Sequence, residues 1–195
     1  MAGRLLDMPA CLSGVHNVYA LNYSLKSAID ESEPIGTLHE LHRLSRVDVH
    51  AVLEQLTHLE KKAFPAYEVF LFDMKLVKQP NATVMFLTDD TPGTLTRLRP
   101  VQGYIVGVSF QGKMLLHKIC VAECWRRRGI GKYLIDQIIL RAQSMSSRSV
   151  ELWVCDSRIA ARSLYTHCGF MEAQRMQDYY SIGRHAIKMV LNLES

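Results

Sequence analysis

No run of apolar residues in this 195-residue chain approaches the ~20 needed to cross a bilayer. Its first residues lack the basic stretch, apolar core and cleavage pattern of a secretory signal. Cysteine is scarce, and Cys11, Cys120, Cys124, Cys155 and Cys168 make an odd number without a Cys-x-x-Cys pair. That pattern argues against a disulfide framework and for unpaired core thiols in a reducing compartment. No cysteine or histidine pair at ligand spacing stands beside a second such pair, so no metal is expected. Charge of one sign is also lacking: 23 basic against 19 acidic residues leave +4. The basic residues are dispersed except at Arg126 to Arg128 and at Arg97 and Arg99, which excludes the broad basic face that nucleic acid requires. There is no internal repeat and no low-complexity stretch. A soluble chain with no membrane partner, cytoplasmic with the nucleus as the alternative, is expected, and in that setting the sequons Asn22-Tyr-Ser and Asn81-Ala-Thr carry no weight.

What is present is the composition of one globular domain, with 48% of residues hydrophobic and length enough to bury a core. Residues 1–36 show no clear period and end in the breaker cluster Asp30 to Gly36, which marks an extension outside a catalytic domain over 37–195. Leu38 to Leu44 alternates as a half-buried strand. Asp48 can cap a helix whose apolar positions run from Val49 to Ala63, ended by Phe64-Pro65. A second helix is predicted over Tyr67 to Val77. Strands follow at Ala82 to Leu87 and Gln102 to Phe110, with an inserted loop from Asp89 to Pro100. The remainder reads as strand 114–121, helix 130–144, strand 148–154, helix 157–167 and strands at 170–176 and 185–192. The fold class is α/β of the α+β kind, a mixed sheet with helices on its faces.

The most informative segment is Arg126-Arg-Arg-Gly-Ile-Gly131, between an apolar strand and an amphipathic helix. Glycines at 129 and 131 let the backbone come close to a ligand. Successive N–H groups and the helix N-terminus make an anion nest that Arg126, Arg127 and Arg128 surround with positive charge. The predicted diphosphate site spans these arginines with Gly129, Ile130, Gly131 and Lys132. It is neither Gly-x-Gly-x-x-Gly nor a P-loop, because Tyr133 follows Lys132.

Arg126, Gly129 and Gly131 match the signature Arg/Gln-x-x-Gly-x-Gly/Ala, and Leu164-Tyr-x-x-x-Gly-Phe170 follows at the usual distance. In these motifs the chain resembles the GNAT superfamily of N-acetyltransferases, over about residues 38 to 193. The resemblance implies the acyl-CoA N-acyltransferase fold, a mixed and mostly antiparallel sheet flanked by helices, with acetyl-CoA as acyl donor. It implies that the loop binds the cofactor pyrophosphate and that main-chain groups at Ile119, Cys120 and Val121 meet the pantetheine arm. Tyr165 matches the family tyrosine that points at the thioester sulfur and serves as acid. Trp153 departs from the family, since it stands where relatives often carry a proton-accepting Glu or His. His117, on the strand before the loop, lies at the offset where amine acetyltransferases of the serotonin type carry a histidine, and it is the predicted base. Glu123 and Glu151 are lesser choices. Arg158 replaces a common asparagine and is assigned to the cofactor phosphate.

Two segments bear on the acceptor. Ala63-Phe-Pro-x-x-Glu68 is similar to a turn of the bacterial ribosomal-protein alanine acetyltransferases. Asp178-Tyr-Tyr180 with Gly183-Arg-x-Ala186-x-x-Met189 resembles their paired-tyrosine loop. Phe64, Pro65, Tyr67, Tyr179 and Tyr180 are therefore expected to meet the acceptor, a peptide N-terminus. A small amine, arylalkylamine or polyamine, is the alternative acceptor. An acetyl-CoA-binding module of little activity is the alternative of another class.

Overall fold

The computed structural model describes residues 36–89 and 99–193. The predicted extension therefore lies outside the described residues except for Gly36, as does the loop segment 90–98. The described chain runs β1 (Thr37–Glu40), α1 (Arg46–Ala63), α2 (Met74–Lys78), β2 (Ala82–Thr88), β3 (Val101–Phe110) and β4 (Lys113–Val121). It continues with α3 (Ile130–Ser144), β5 (Ser149–Cys155), α4 (Ile159–His167), β6 (Met171–Ser181) and β7 (Arg184–Asn192). The strands form one sheet in the order β1-β2-β3-β4-β5-β7-β6. Every neighbouring pair is antiparallel except β4 and β5. Parallel neighbours need a crossover connection, and α3 supplies it.

Each sheet face has its own core. Ile130, Leu134, Ile135, Ile138 and Ile139 recur at helical spacing on α3 and pack on Met85, Ile105, Met114, Leu116, Val150 and Leu152. Tyr165 on α4 joins the same cluster. On the opposite face Val49, Val52, Leu53 and Leu56 of α1 pack on Val84, Phe86, Tyr104 and Val106. Burying one such aliphatic side chain stabilises by roughly 2 kcal/mol.

Four elements differ from expectation. The first strand stops at Glu40, and a 3-10 turn over Leu41–Arg43 drops Leu41 into the α1 core. Helix α1 begins at Arg46 because Ser45, not Asp48, is its cap: the Ser45 hydroxyl accepts the Asp48 N–H at 3.3 Å and donates to the Asp48 carboxylate at 2.6 Å. The helix predicted over Tyr67 to Val77 is broken into a 3-10 turn, Ala66–Glu68, and the short α2. The Phe70 N–H is drawn away to Glu60 at 2.8 Å, and Asp73 caps α2 through the N–H groups of Lys75 and Leu76. Strand β6 is also longer than predicted, so Tyr179 and Tyr180 are strand residues near the hairpin end.

The feature that positions the site lies at the centre of the sheet. The parallel ladder runs only from Met114↔Val150 to Leu116↔Leu152. Beyond it β4 continues to Val121 and β5 to Cys155 with no pairing between them. The two strands part there, leaving the edge of β4 from His117 onward open to a cleft.

Candidate active site

His117 stands at the point where the strands part. Strict alternation would place it on one face with Leu115, Ile119 and Val121. Instead Val106 pairs with Lys118 and Gly107 with Leu116, so His117 is the unpaired residue of a bulge. After the bulge the faces exchange: Met114 and Leu116 before it, and Ile119 and Val121 after it, all pack in the α3 cluster. Cys120 goes to the α1 core. A bulge re-aims the extra side chain, and here it turns His117 into a cavity of about 310 Å³. The imidazole is exposed, yet the protein around it disfavours the charged form and lowers its pKa from the ordinary value.

The same cavity is lined by Phe64, Tyr67, Glu68, Ile119, Trp153, Arg158, Tyr165, Tyr180 and Arg184. It thus brings both predicted catalytic residues together with three of the five predicted acceptor residues. Tyr165 is nearly buried, its ring 5.8 Å from that of Phe170, so it packs in the core and faces the cavity at once. Burial raises its pKa, which keeps the hydroxyl protonated as a donor must be. Trp153 stacks on Tyr179 with centroids 4.9 Å apart, and Tyr179, unlike Tyr180, does not line the cavity. Pro65 is exposed and starts the turn that presents Tyr67 and Glu68. Glu151 lies elsewhere: burial raises its pKa, but hydrogen bonds from Lys113 and Lys188, each at 2.7 Å, outweigh that and hold it down.

Behind the acceptor wall sits a buried polar cluster with no counterpart in the sequence-based expectations. Glu60 is fully buried and accepts from Tyr104 Oη and the Phe70 N–H, with Lys118 Nζ at 3.4 Å. Desolvation raises its pKa, against the pull of Phe70 and Lys118. Lys118 also donates to the Glu68 carbonyl at 2.7 Å and lies 3.6 Å from the centroid of Phe64. One ammonium therefore ties β4 to α1 and to the Phe64–Glu68 turn.

The arginine loop has the form expected at a helix start. Gly129 is the N-cap of α3 with φ +80°, offers no side-chain acceptor, and would point a Cβ into open space. The first-turn N–H groups of α3 have no carbonyl four residues back to bond within the helix. The open face before Gly129 and the exposed guanidinium groups of Arg126, Arg127 and Arg128 fit a diphosphate. Arg126 Nε donates to the Val121 carbonyl at 3.1 Å, and Arg128 lies 4.6 Å over Trp125. Gly131 serves another purpose than close approach to a ligand, because a Cβ there would come within 3.1 Å of Leu164. Its smallness lets α3 pack on α4. The Ile130 side chain is core, and Lys132 pairs with Asp136 at 2.9 Å. The Cys120 thiol is buried and its pKa is pushed up to about 11, so only its main chain is available to the cleft.

Arg158 stands beside the predicted acceptor residues: its guanidinium pairs with Glu68 and lies 5.1 Å over Phe64. Glu68 takes a second guanidinium from Arg184, which stands 5.4 Å from both the Tyr67 and Tyr180 rings. Glu68 and Arg184 fall inside the two acceptor segments, at the last position of the first and directly after Gly183 in the second. That proximity is the signal by which they could have been found. Among the described residues no group of three His, Cys, Asp or Glu converges on a metal position.

Comparison with known proteins agrees with this fold. Residues 82–172, from β2 to the first residues of β6, match the model of the acetyltransferase (GNAT) domain. N-alpha-acetyltransferase 30 of Dictyostelium discoideum is 27% identical over 150 residues, covering 73% of this chain and 74% of that protein. The ribosomal-protein-S18-alanine N-acetyltransferase of Escherichia coli superposes with a TM-score of 0.64 at 22% identity, over 82% of this chain and 94% of its own. An aminoglycoside 6′-N-acetyltransferase complexed with coenzyme A reaches the same TM-score at 14% identity, over 82% and 98%. Residues 82–172 thus match a GNAT acetyltransferase domain, the fold is that of the solved GNAT acetyltransferases, and these likenesses support an N-acetyltransferase. Fold likeness to solved structures does not separate protein acceptors from small ones, since both kinds superpose equally well.

Proposed function

We propose that the chain transfers the acetyl group of acetyl-CoA directly to the α-amino group of a protein or peptide. The observation that carries this reading is the convergence of His117, Tyr165 and the acceptor residues Phe64, Tyr67 and Tyr180 on one cavity at the parting of β4 and β5. The donor diphosphate would be held by the N–H groups at the start of α3 and by Arg126 to Arg128, and its extended arm by the open edge of β4 at Ile119 to Val121. His117, neutral at physiological pH because its surroundings lower its pKa, accepts the proton of the acceptor ammonium, directly or through a water. The freed amine forms the new bond to the acetyl carbon. Tyr165 donates its proton to the departing sulfur, and the His117 proton is available to restore it. No covalent enzyme intermediate is needed.

The peptide acceptor is supported by the likeness to N-alpha-acetyltransferase 30 and by the exposure of Tyr67 (75%) and Tyr180 (40%) at the cavity mouth, where they can reach a peptide backbone. A small arylalkylamine is the second reading, favoured by the Glu68–Arg184 contact that joins the two acceptor segments across the mouth. A polyamine fits poorly beside Lys118, Arg158 and Arg184. Detection of free CoA thiol across a panel of peptides and amines tests the assignment. Peptide-dependent release supports it, and release with arylalkylamines alone overturns it.

A further inference from the structure

Two arginines share one carboxylate in the acceptor cavity. Glu68 accepts from Arg158 at the start of α4 and from Arg184 at the start of β7; the carboxylate is largely shielded, and the two arginine side chains are partly exposed. The other cation lining the cavity, Lys118, is matched by Glu60 behind the wall. Cys155, also in the lining, has Sγ 3.2 Å from Ser157 Oγ; burial raises its pKa, but hydrogen bonds from Ser157 and Arg184 outweigh that and hold it below the ordinary thiol value. With His117 neutral, two guanidinium charges face one carboxylate among the described residues of the cavity lining, an excess of one positive charge. Resting on the peptide reading above, we infer that the acceptor site selects N-termini carrying an acidic side chain within their first three residues, with Arg184 and Arg158 as the specificity-determining residues.

The geometry favours this charge for two reasons. A guanidinium offers five donors in a fixed fork, and one carboxylate shared between two such forks leaves donors free on each. Arg184 is held between the Tyr67 and Tyr180 rings, 5.4 Å from each, so it is positioned at the mouth where the second and third residues of a peptide would pass. A lysine or arginine in the acceptor would face three cations in a partly desolvated cleft, where like charges are poorly screened.

The test uses the whole chain, acetyl-CoA and peptides that differ only in carrying Glu, Gln or Lys at each of the first three positions. The wild type should show kcat/KM about tenfold higher for Glu than for Lys at its best position, with Gln between, at low salt. Raising salt to 1 M should bring the ratio toward one. In Arg184→Gln the Glu-to-Lys ratio should fall several-fold, and because it is a ratio within one preparation it does not depend on the fraction folded. If the variant does not fold, the wild-type salt series still decides. Peptide turnover with a ratio at or below one would overturn the inference while leaving the peptide acceptor intact. Turnover of arylalkylamines without turnover of any peptide would instead overturn the reading on which it rests.

Discussion

At Tyr165 one hydroxyl separates a core residue from an acid. Its ring packs with Phe170 and the α3 cluster, so Tyr165→Phe keeps the packing and removes only the proton donor. Turnover should fall by about 10² to 10⁴ with acetyl-CoA affinity nearly unchanged, measured by steady-state rates beside calorimetry. Near-normal turnover with chemistry rate-limiting would return Tyr165 to a packing role alone. His117 is tested by pH. Its pKa lies below the ordinary imidazole value of about 6.5, so the base form dominates at neutral pH and is lost only as pH falls through that lowered value. The acidic limb of the rate should have its midpoint below 6.5, and His117→Ala should flatten the limb and cut the rate. An unchanged limb and rate in a folded variant would show that another group, or a water chain near Trp153, takes the proton.

Elements carry the site because they are held apart or together by few residues. Gly129 and Gly131 look alike in the motif but act differently. Gly129 occupies a left-handed conformation facing open space, so Gly129→Val should weaken acetyl-CoA binding strongly, with backbone strain of roughly 1–2 kcal/mol besides. Gly131→Val forces Leu164 to move, and should lower stability by about 1–3 kcal/mol in denaturant titration. Unchanged affinity in folded Gly129→Val would remove the diphosphate from this loop. The Glu60–Lys118 pair behaves as a joint between β4, α1 and the acceptor turn. Glu60→Ala leaves Lys118 and Tyr104 short of a buried acceptor and should cost on the order of 3 kcal/mol, and a loss below 0.5 kcal/mol would contradict that role. These elements also mark how far the sequence could be read. Helix α3 falls on its predicted residues because its apolar period and glycine start are local signals. The bulge at His117 was invisible, since it depends on the register with β3, and the breaking of the Tyr67 to Val77 helix depends on Glu60, ten residues away from Phe70 in the chain. The Arg158–Glu68 pair is out of reach of the sequence for the same reason, since its partners lie 90 residues apart.

At the largest scale the described residues form a mixed sheet that parts between β4 and β5, with the arginine loop at the start of α3 and the proposed acceptor wall lining the cavity at the parting. The GNAT signature locates the loop from sequence alone, whereas the wall is assembled from three distant segments, the Phe64 turn, the start of α4 and the β6–β7 hairpin. That difference sets what the sequence offers: one contiguous motif for the loop, and only separate segments for the wall. The central claim is acetyl transfer to a peptide α-amine. It is tested most directly by incubating the chain with acetyl-CoA and a peptide that has both a free N-terminus and an internal lysine, and mapping the product by mass spectrometry. The acetyl group should appear on the N-terminal nitrogen, and a peptide blocked at that position should give no product. Acetylation of the lysine alone, or of the blocked peptide at the same rate, would contradict the account.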